Sequence, residues 1–336
     1  MTRTRQRRRV PIRALVAALF TGVLVPATGD TAASAAPVTA DDGAKVTKET
    51  WVDQRTLDLE IQSPALGAKA SVRLLVPSGW AKNSGQSWPN LWLLHGCCEV
   101  ADYQSWTKFT DVEQFTADKP AMIVMPSGGK IGMYSEWWNY GLFGVPDWRK
   151  FHLTEVKQIL ERGYGAGDRR SIAGLSMGGY GAMEYASRVP GMFGAAASYS
   201  GAVDVLAPGI PEVTQLNMIN QGFFVWGVLW GDPWSQRARW MDHNPADKVD
   251  KLRGTKLYVS SGDGKTGPLD DPAGPPPAGA LLEDVALGNS RGFVGKLQQG
   301  GVPVTVDFYG AGTHTWPYWQ FALHRSWPVL ASGMGI

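Results

Sequence analysis

Gly174-Leu175-Ser176-Met177-Gly178 sets a serine between two glycines, just after the apolar run Ser171–Ala173 and just before a small-residue helical pattern, Met177–Arg188. The spelling G-x-S-x-G alone says little, since chance supplies it about 0.3 times in a chain this rich in glycine. Its setting says more. A strand, a turn too tight for side chains on either flank and a new helix lift a serine hydroxyl above a sheet, which is the nucleophile elbow. The bland alternative is a serine in a glycine-rich turn. A serine hydroxyl is a weak nucleophile and needs a base, and in this setting the chain order is serine, acid, histidine. Of the five histidines, His95 and His152 precede Ser176, His243 lies before the last strand runs, and His324 falls in a helical pattern. His314, in "FYGAGTHTWPYW" after the run Val304–Phe308, is placed to be the base. For the acid the residues slightly favour Asp263, in "VSSGDG" after Lys256–Ser260; Glu283, in "GALLEDVALGNSRGF", stands close behind, with Asp284 and Asp307 weaker. The oxyanion of a tetrahedral intermediate needs two backbone donors. Met177 supplies one, and Cys97, after Gly96 in "LWLLHGCCEVADYQSW", is placed to supply the other.

Short apolar runs at Ser71–Val76, Leu91–Leu94, Met122–Met125, Ser171–Ala173, Lys256–Ser260 and Val304–Phe308 read as the buried strands that must hold these residues. Thr56–Ile61 pairs with Ser71–Val76 as a hairpin. Helical patterns at Lys150–Glu161, Met177–Arg188, Leu281–Gln299 and Trp319–Leu330 alternate with the later strands. This alternation predicts an α/β fold with a mostly parallel central sheet and helices on both faces, whose ligands bind at the carboxyl ends of the strands. Residues 203–248 break the rhythm and are dense in aromatics, among them Phe223, Phe224, Trp226, Trp230, Trp234 and Trp240. They read as an insertion that walls or covers a site, or as a helical subdomain whose aromatics are core. The Pro- and Gly-rich segment 268–277 reads as a loop.

The 336-residue chain carries 32 Lys and Arg against 30 Asp and Glu, so no basic excess points to nucleic acid. An arginine cluster over residues 3–9, the short apolar segment 14–25 and Ala33-Ser34-Ala35 read as a secretory signal peptide over 1–35. The expected organisation is then a flexible mature N-terminus over 36–52 and one catalytic domain over 53–333, exported and without stable membrane insertion. No motif calls for a metal or cofactor. The only cysteines, Cys97 and Cys98, are neighbours: either two buried thiols or, given export, a disulfide stiffening their loop.

"LLHGCCEVADYQSW", "GLSMGGYGAMEYA", "WGDPWSQRARWMDHNP", "LLEDVALGNSRGF" and "GTHTWPYW", in that order, resemble the esterase D / antigen 85 family of α/β-hydrolases, and within it the antigen 85 mycolyltransferases. The likeness runs from about Val72 to Leu330. It implies an α/β-hydrolase fold, Ser176 as nucleophile, His314 as base and Glu283 as acid, which reverses the preference for Asp263 and leaves that residue in reserve. It places Cys97 and Met177 on the oxyanion donors and Trp316 at the substrate site. The family's transferases carry aspartate where His95 stands and arginine where Cys98 stands, and both contact trehalose. The implied activity is therefore a secreted serine carboxylesterase, or an acyltransferase with another acceptor: an acyl ester as donor, with water or an alcohol or sugar accepting. A polysaccharide-decorating acetyl or feruloyl esterase and a non-catalytic surface-binding protein are the alternatives.

Overall fold

In a computed structural model, residues 38–100, 102–224 and 226–336 are described; the expected leader over 1–35 lies outside them. Nine strands, β1 (Lys45–Trp51), β2 (Thr56–Ser63), β3 (Ala68–Leu75), β4 (Trp88–Leu94), β5 (Met122–Pro126), β6 (Ala166–Leu175), β7 (Ala195–Tyr199), β8 (Lys256–Ser261) and β9 (Val304–Phe308), form one sheet in the order β1-β2-β3-β5-β4-β6-β7-β8-β9. The β1-β2-β3-β5 end is antiparallel, and from β5 to β9 every pairing is parallel. The expected hairpin is β2–β3, in register from Thr56↔Leu75 to Ser63↔Ala68.

The parallel strands are apolar throughout because both faces are covered, as parallel sheets require. Successive side chains of β4 point to opposite faces. Trp92 and Leu94 join Ile172, Tyr180, Met183 and Phe193 on one side. Leu91 and Leu93 join Ala173, Ala197, Trp319, Leu323 and Leu330 on the other. The Met177–Arg188 helix thus packs on one face and the C-terminal helix, Trp316–Met334, on the opposite one.

Several elements differ from the sequence expectation. The segment 36–52 is not all flexible: Lys45–Trp51 is the antiparallel edge strand, held by its backbone ladder to β2 although Val46 alone of its side chains is buried. β7, Ala-Ala-Ala-Ser-Tyr, is a central strand that alanine's low strand propensity hides. Lys150–Glu161 is a short turn at Trp148–Lys150, a π-helix over Phe151–Val156 and an α-helix over Lys157–Gly163. The two late helices start earlier, at Gly279 and Trp316. The insertion carries a helix over Ile210–Asn220, and its aromatics divide: Trp230 and Trp240 are core, while Phe224 and Trp234 are largely exposed. Among the described residues no helix is long and apolar enough to cross a membrane.

Candidate active site

Ser176 caps the Met177–Arg188 helix at the carboxyl end of β6 with φ 51° and ψ −118°. A non-glycine residue rarely occupies this region, and such outliers cluster at functional sites. The flanking glycines are required by contact. A Cβ at Gly174 would lie 2.2 Å from the Gly178 carbonyl oxygen, and one at Gly178 2.4 Å from the Leu94 oxygen. Backbone therefore fills the space on both sides of the elbow, and the Ser176 N–H is tied to the Tyr199 carbonyl at the end of β7.

The loop after β4 passes directly beside the serine, since a Cβ at Gly96 would sit 3.5 Å from Ser176 Cβ. Cys97 and Cys98 are joined by a disulfide, so the adjacent cysteines are not free thiols. Cys98 has φ 79°, and its N–H donates to the Lys130 carbonyl at 2.6 Å. Among the described residues no carbonyl accepts from the N–H of Cys97 or of Met177. Both residues line, with Ser176 and His314, a cavity of about 100 Å³. Its walls are mostly apolar, with Ile131 and Met133, Ile210 and Val213 from the insertion helix, and Leu282 and Val285 from the late helix, and Thr214, Asn217 and Asn289 add polar groups.

His314 follows β9, as expected, and its Nδ1 lies 2.8 Å from Glu283 Oε2. Glu283 is fully buried one turn into the Gly279–Gln299 helix. Its other oxygen, Oε1, accepts from Ser200 Oγ at 2.8 Å, Ser261 Oγ at 2.9 Å and the Gly262 N–H at 2.6 Å. Burial pushes the carboxyl group's pKa upward, but the His314 contact and these donors outweigh it and hold the group below the ordinary glutamate range. A charged carboxylate against Nδ1 keeps the imidazole proton on that nitrogen and leaves Nε2 as an acceptor. Trp319 packs edge-on against the ring, centroids 4.9 Å apart, and donates from Nε1 to Ser200 Oγ.

The other expected site residues sort clearly. Asp263 does not meet His314: its carboxylate accepts from the Lys265 N–H at 3.0 Å and pairs with Lys265 Nζ. Asp307 is held by Arg325, and Asp284 faces outward. His95, expected at the substrate, is 1% exposed and turned away from it. Its Nδ1 lies 2.6 Å from the Gly96 carbonyl and its Nε2 accepts from the Gly128 N–H, so no ring nitrogen is left for a ligand. The side chain of Cys98 is consumed by the disulfide. Trp316 is partly exposed and stacks on Phe109, centroids 5.1 Å apart, beside the histidine loop. No motif assigned a site role to Ser200, Ser261 or Trp319. The only signal was that Ser200 directly follows one strand and Ser261 ends the next, at the carboxyl edge where ligands gather.

A mostly parallel sheet with a strained serine between β6 and its helix, and a histidine after the last strand paired with a carboxylate from the helix before that strand, defines an α/β-hydrolase. The chain belongs to the Esterase family, which it matches over residues 63–329. It is 29% identical over 268 residues to Esterase Rv1288 of Mycobacterium tuberculosis, an alignment that covers 78% of this chain and 56% of that protein; the chain thus spans little more than half of that relative. It is 28% identical over 283 residues to the diacylglycerol acyltransferase/mycolyltransferase Ag85B of Mycobacterium intracellulare, covering 82% of this chain and 83% of that one. The crystal structure of Mycobacterium tuberculosis MPT51 superposes with a TM-score of 0.68 at 25% identity, over 82% of this chain and 97% of that one. These relatives bear out the resemblance to antigen 85 read from the motifs.

Proposed function

We propose that the protein is an exported serine carboxylesterase or acyltransferase that works through an acyl-enzyme on Ser176, with His314 as general base and Glu283 as the group that orients it. The observation that carries this reading is the 2.8 Å contact between His314 Nδ1 and a fully buried, charged Glu283, in a cavity that His314 shares with Ser176. His314 Nε2 takes the hydroxyl proton as Ser176 Oγ bonds to the ester carbonyl carbon. The N–H groups of Cys97 and Met177 receive the oxyanion. Collapse breaks the bond to the alkoxy oxygen, which leaves with the proton from Nε2. Water or an acceptor alcohol then gives its proton to Nε2, attacks the acyl carbon and restores Ser176.

The mostly apolar cavity walls favour an ester with a hydrocarbon acyl group. With His95 buried and the Cys98 side chain in a disulfide, neither position offers a polar contact to a sugar acceptor. Without polar partners at these two positions the site discriminates less in favour of a sugar hydroxyl, so water is the expected acceptor in the absence of another alcohol. Export rests on the charge and apolar pattern of residues 1–35.

The test is hydrolysis of p-nitrophenyl esters from acetyl to palmitoyl by the wild type and by Ser176→Ala, with trehalose or glycerol added as acceptors. Turnover that vanishes in the variant is expected, with a chain-length optimum that sizes the acyl site and little transfer to trehalose. Equal rates in both proteins, or no cleavage of any ester, would sink the proposal. N-terminal sequencing of protein recovered from culture medium tests export; a mature chain still beginning at Met1 speaks against it.

A further inference from the structure

A second concave site, a cleft of about 440 Å³, shares no lining residue with the Ser176 cavity. It forms where the turn after Trp138 is stitched to the insertion. The Trp138 N–H donates to the Leu229 carbonyl at 2.6 Å, the Asn139 N–H to that of Val228 at 2.9 Å, and Tyr140 OH to that of Trp226 at 2.9 Å. Three non-glycine residues of this turn, Asn139, Tyr140 and Phe143, hold left-handed backbone with φ of 47°, 60° and 53°. Such conformations persist where surrounding structure enforces them, and they gather at ligand clamps.

Aromatic faces and fixed polar groups converge here. Trp138 and Phe143 present their rings to the guanidinium of Arg239, which lies 5.1 and 5.0 Å from the two centroids. Buried Trp230 stacks on His243 with the rings within 7° of parallel. The His243 side chain is more than nine-tenths buried and its Nδ1 has no partner among the described residues. Burial, together with the cations Arg188 and Arg149, holds its pKa well below the ordinary histidine value, so the ring is neutral. Glu136 is paired with Arg149, and Asp242 with Arg188 at 2.9 Å. These carboxylates are therefore held in place and neutralised while lining the cleft. Beyond it, Trp226 and Trp234 hold their rings within 4° of parallel and are 39% and 64% exposed.

We propose that this cleft binds a neutral glycan, seating a sugar ring against the exposed side of Phe143, with its hydroxyls on Arg239, Gln236 and the paired carboxylates, and that the parallel tryptophans extend the platform. The chemistry selects the ligand class. The C–H face of a sugar is apolar and fits an aromatic plane, while its hydroxyls both donate and accept and so need the mixed polar set found here. An anionic membrane or a nucleic acid would need an excess of cations; on this face Arg149 and Arg188 are already paired, and the Arg239 guanidinium is stacked against Trp138 and Phe143. The site would hold the enzyme on a polysaccharide independently of Ser176 chemistry.

Affinity electrophoresis through gels containing xylan, arabinogalactan, galactomannan, hydroxyethyl cellulose or dextran tests this, with sedimentation on phosphatidylglycerol vesicles alongside. The proteins are wild type, Ser176→Ala, Phe143→Ala and Arg239→Ala, each checked for an unchanged Tm; Arg239→Lys replaces any that fails. At least one glycan should retard the wild type and Ser176→Ala alike. The apparent affinity should fall fivefold or more in the cleft variants, with p-nitrophenyl ester turnover within twofold of wild type. Tryptophan emission of the unmodified protein should shift on adding the same glycan. Absence of retardation in every gel, equal retardation of the cleft variants, or capture by vesicles alone would overturn the proposal. Because Ser176→Ala reports on the ester reading separately, failure of one does not mimic failure of the other.

Discussion

Glu283→Gln is the sharpest perturbation of the site because the surroundings dictate how the amide must sit. The Gly262 backbone N–H, 2.6 Å from Oε1, can only donate, and the hydroxyls of Ser200 and Ser261 point at the same oxygen. The glutamine carbonyl oxygen must therefore occupy the Oε1 position, which turns the NH2 group toward His314 Nδ1, where Oε2 now lies at 2.8 Å. An amide NH2 cannot accept from Nδ1–H, so the imidazole moves its proton to Nε2. That nitrogen can then no longer take the Ser176 proton. Wrong-tautomer substitutions of this kind lower kcat by roughly 10³–10⁴, about 4–5.5 kcal/mol of transition-state stabilisation. The volume is unchanged and the three donors to Oε1 keep their acceptor, so Tm should stay within a few degrees of wild type. The assay is kcat for p-nitrophenyl butyrate from pH 6 to 9, with Asp263→Asn as control; that aspartate pairs with Lys265 and should matter less than twofold. A folded Glu283→Gln enzyme with kcat within tenfold of wild type at any pH in that range would refute the tautomer argument.

Ser176→Gly abolishes turnover yet relieves the strain of φ 51°; relief of about 1–3 kcal/mol, less about 0.5–1 for glycine's extra chain entropy, should raise stability, and a Tm below wild type would contradict the strain. Reducing the Cys97–Cys98 disulfide loosens the loop that carries the Cys97 N–H assigned to the oxyanion; since losing such a donor outright costs about 2.7–4 kcal/mol, loosening it should lower kcat about tenfold with KM little changed, and an unchanged kcat after thiol titration confirms reduction would disprove the coupling. Acid should weaken the fold through His152, whose pKa burial lowers to about 4 while its Nδ1 faces Tyr185 OH and its Nε2 the Ser127 carbonyl. A folded value depressed below the unfolded one means stability is present in full above about pH 6.5 and is lost as pH falls toward 4, by roughly 3 kcal/mol. Urea denaturation at pH 7 and pH 4 measures the loss, which should shrink in His152→Gln; an equal loss in both proteins would show that other groups carry it.

The elbow was legible in the sequence because its chemistry is local. Gly174, Ser176 and Gly178 act over one turn, and the clashes that demand glycine come from atoms the strand–turn–helix path necessarily brings close. His314 was legible by position, as the histidine in the loop after the last strand. The choice between Asp263 and Glu283 was not, since the residues alone favoured the aspartate and only family resemblance pointed to the glutamate. The turn after β8 sends Asp263 to Lys265, while the late helix returns Glu283 beneath the histidine and within reach of Ser200, just past β7, and Ser261, at the end of β8. Composition equally failed to separate Trp230 from Trp234, because burial depends on what lies across the fold. His95 stands one residue from the oxyanion loop yet is sealed into the backbone of another, since proximity along the chain does not set which way a ring turns. The sequence by itself determined the periodicities, the elbow and the order of serine, acid and histidine, all of which follow from short-range sterics and polarity. Only the tertiary structure decided which carboxylate meets the histidine and which aromatics face water, because those contacts join strands and helices far apart along the chain.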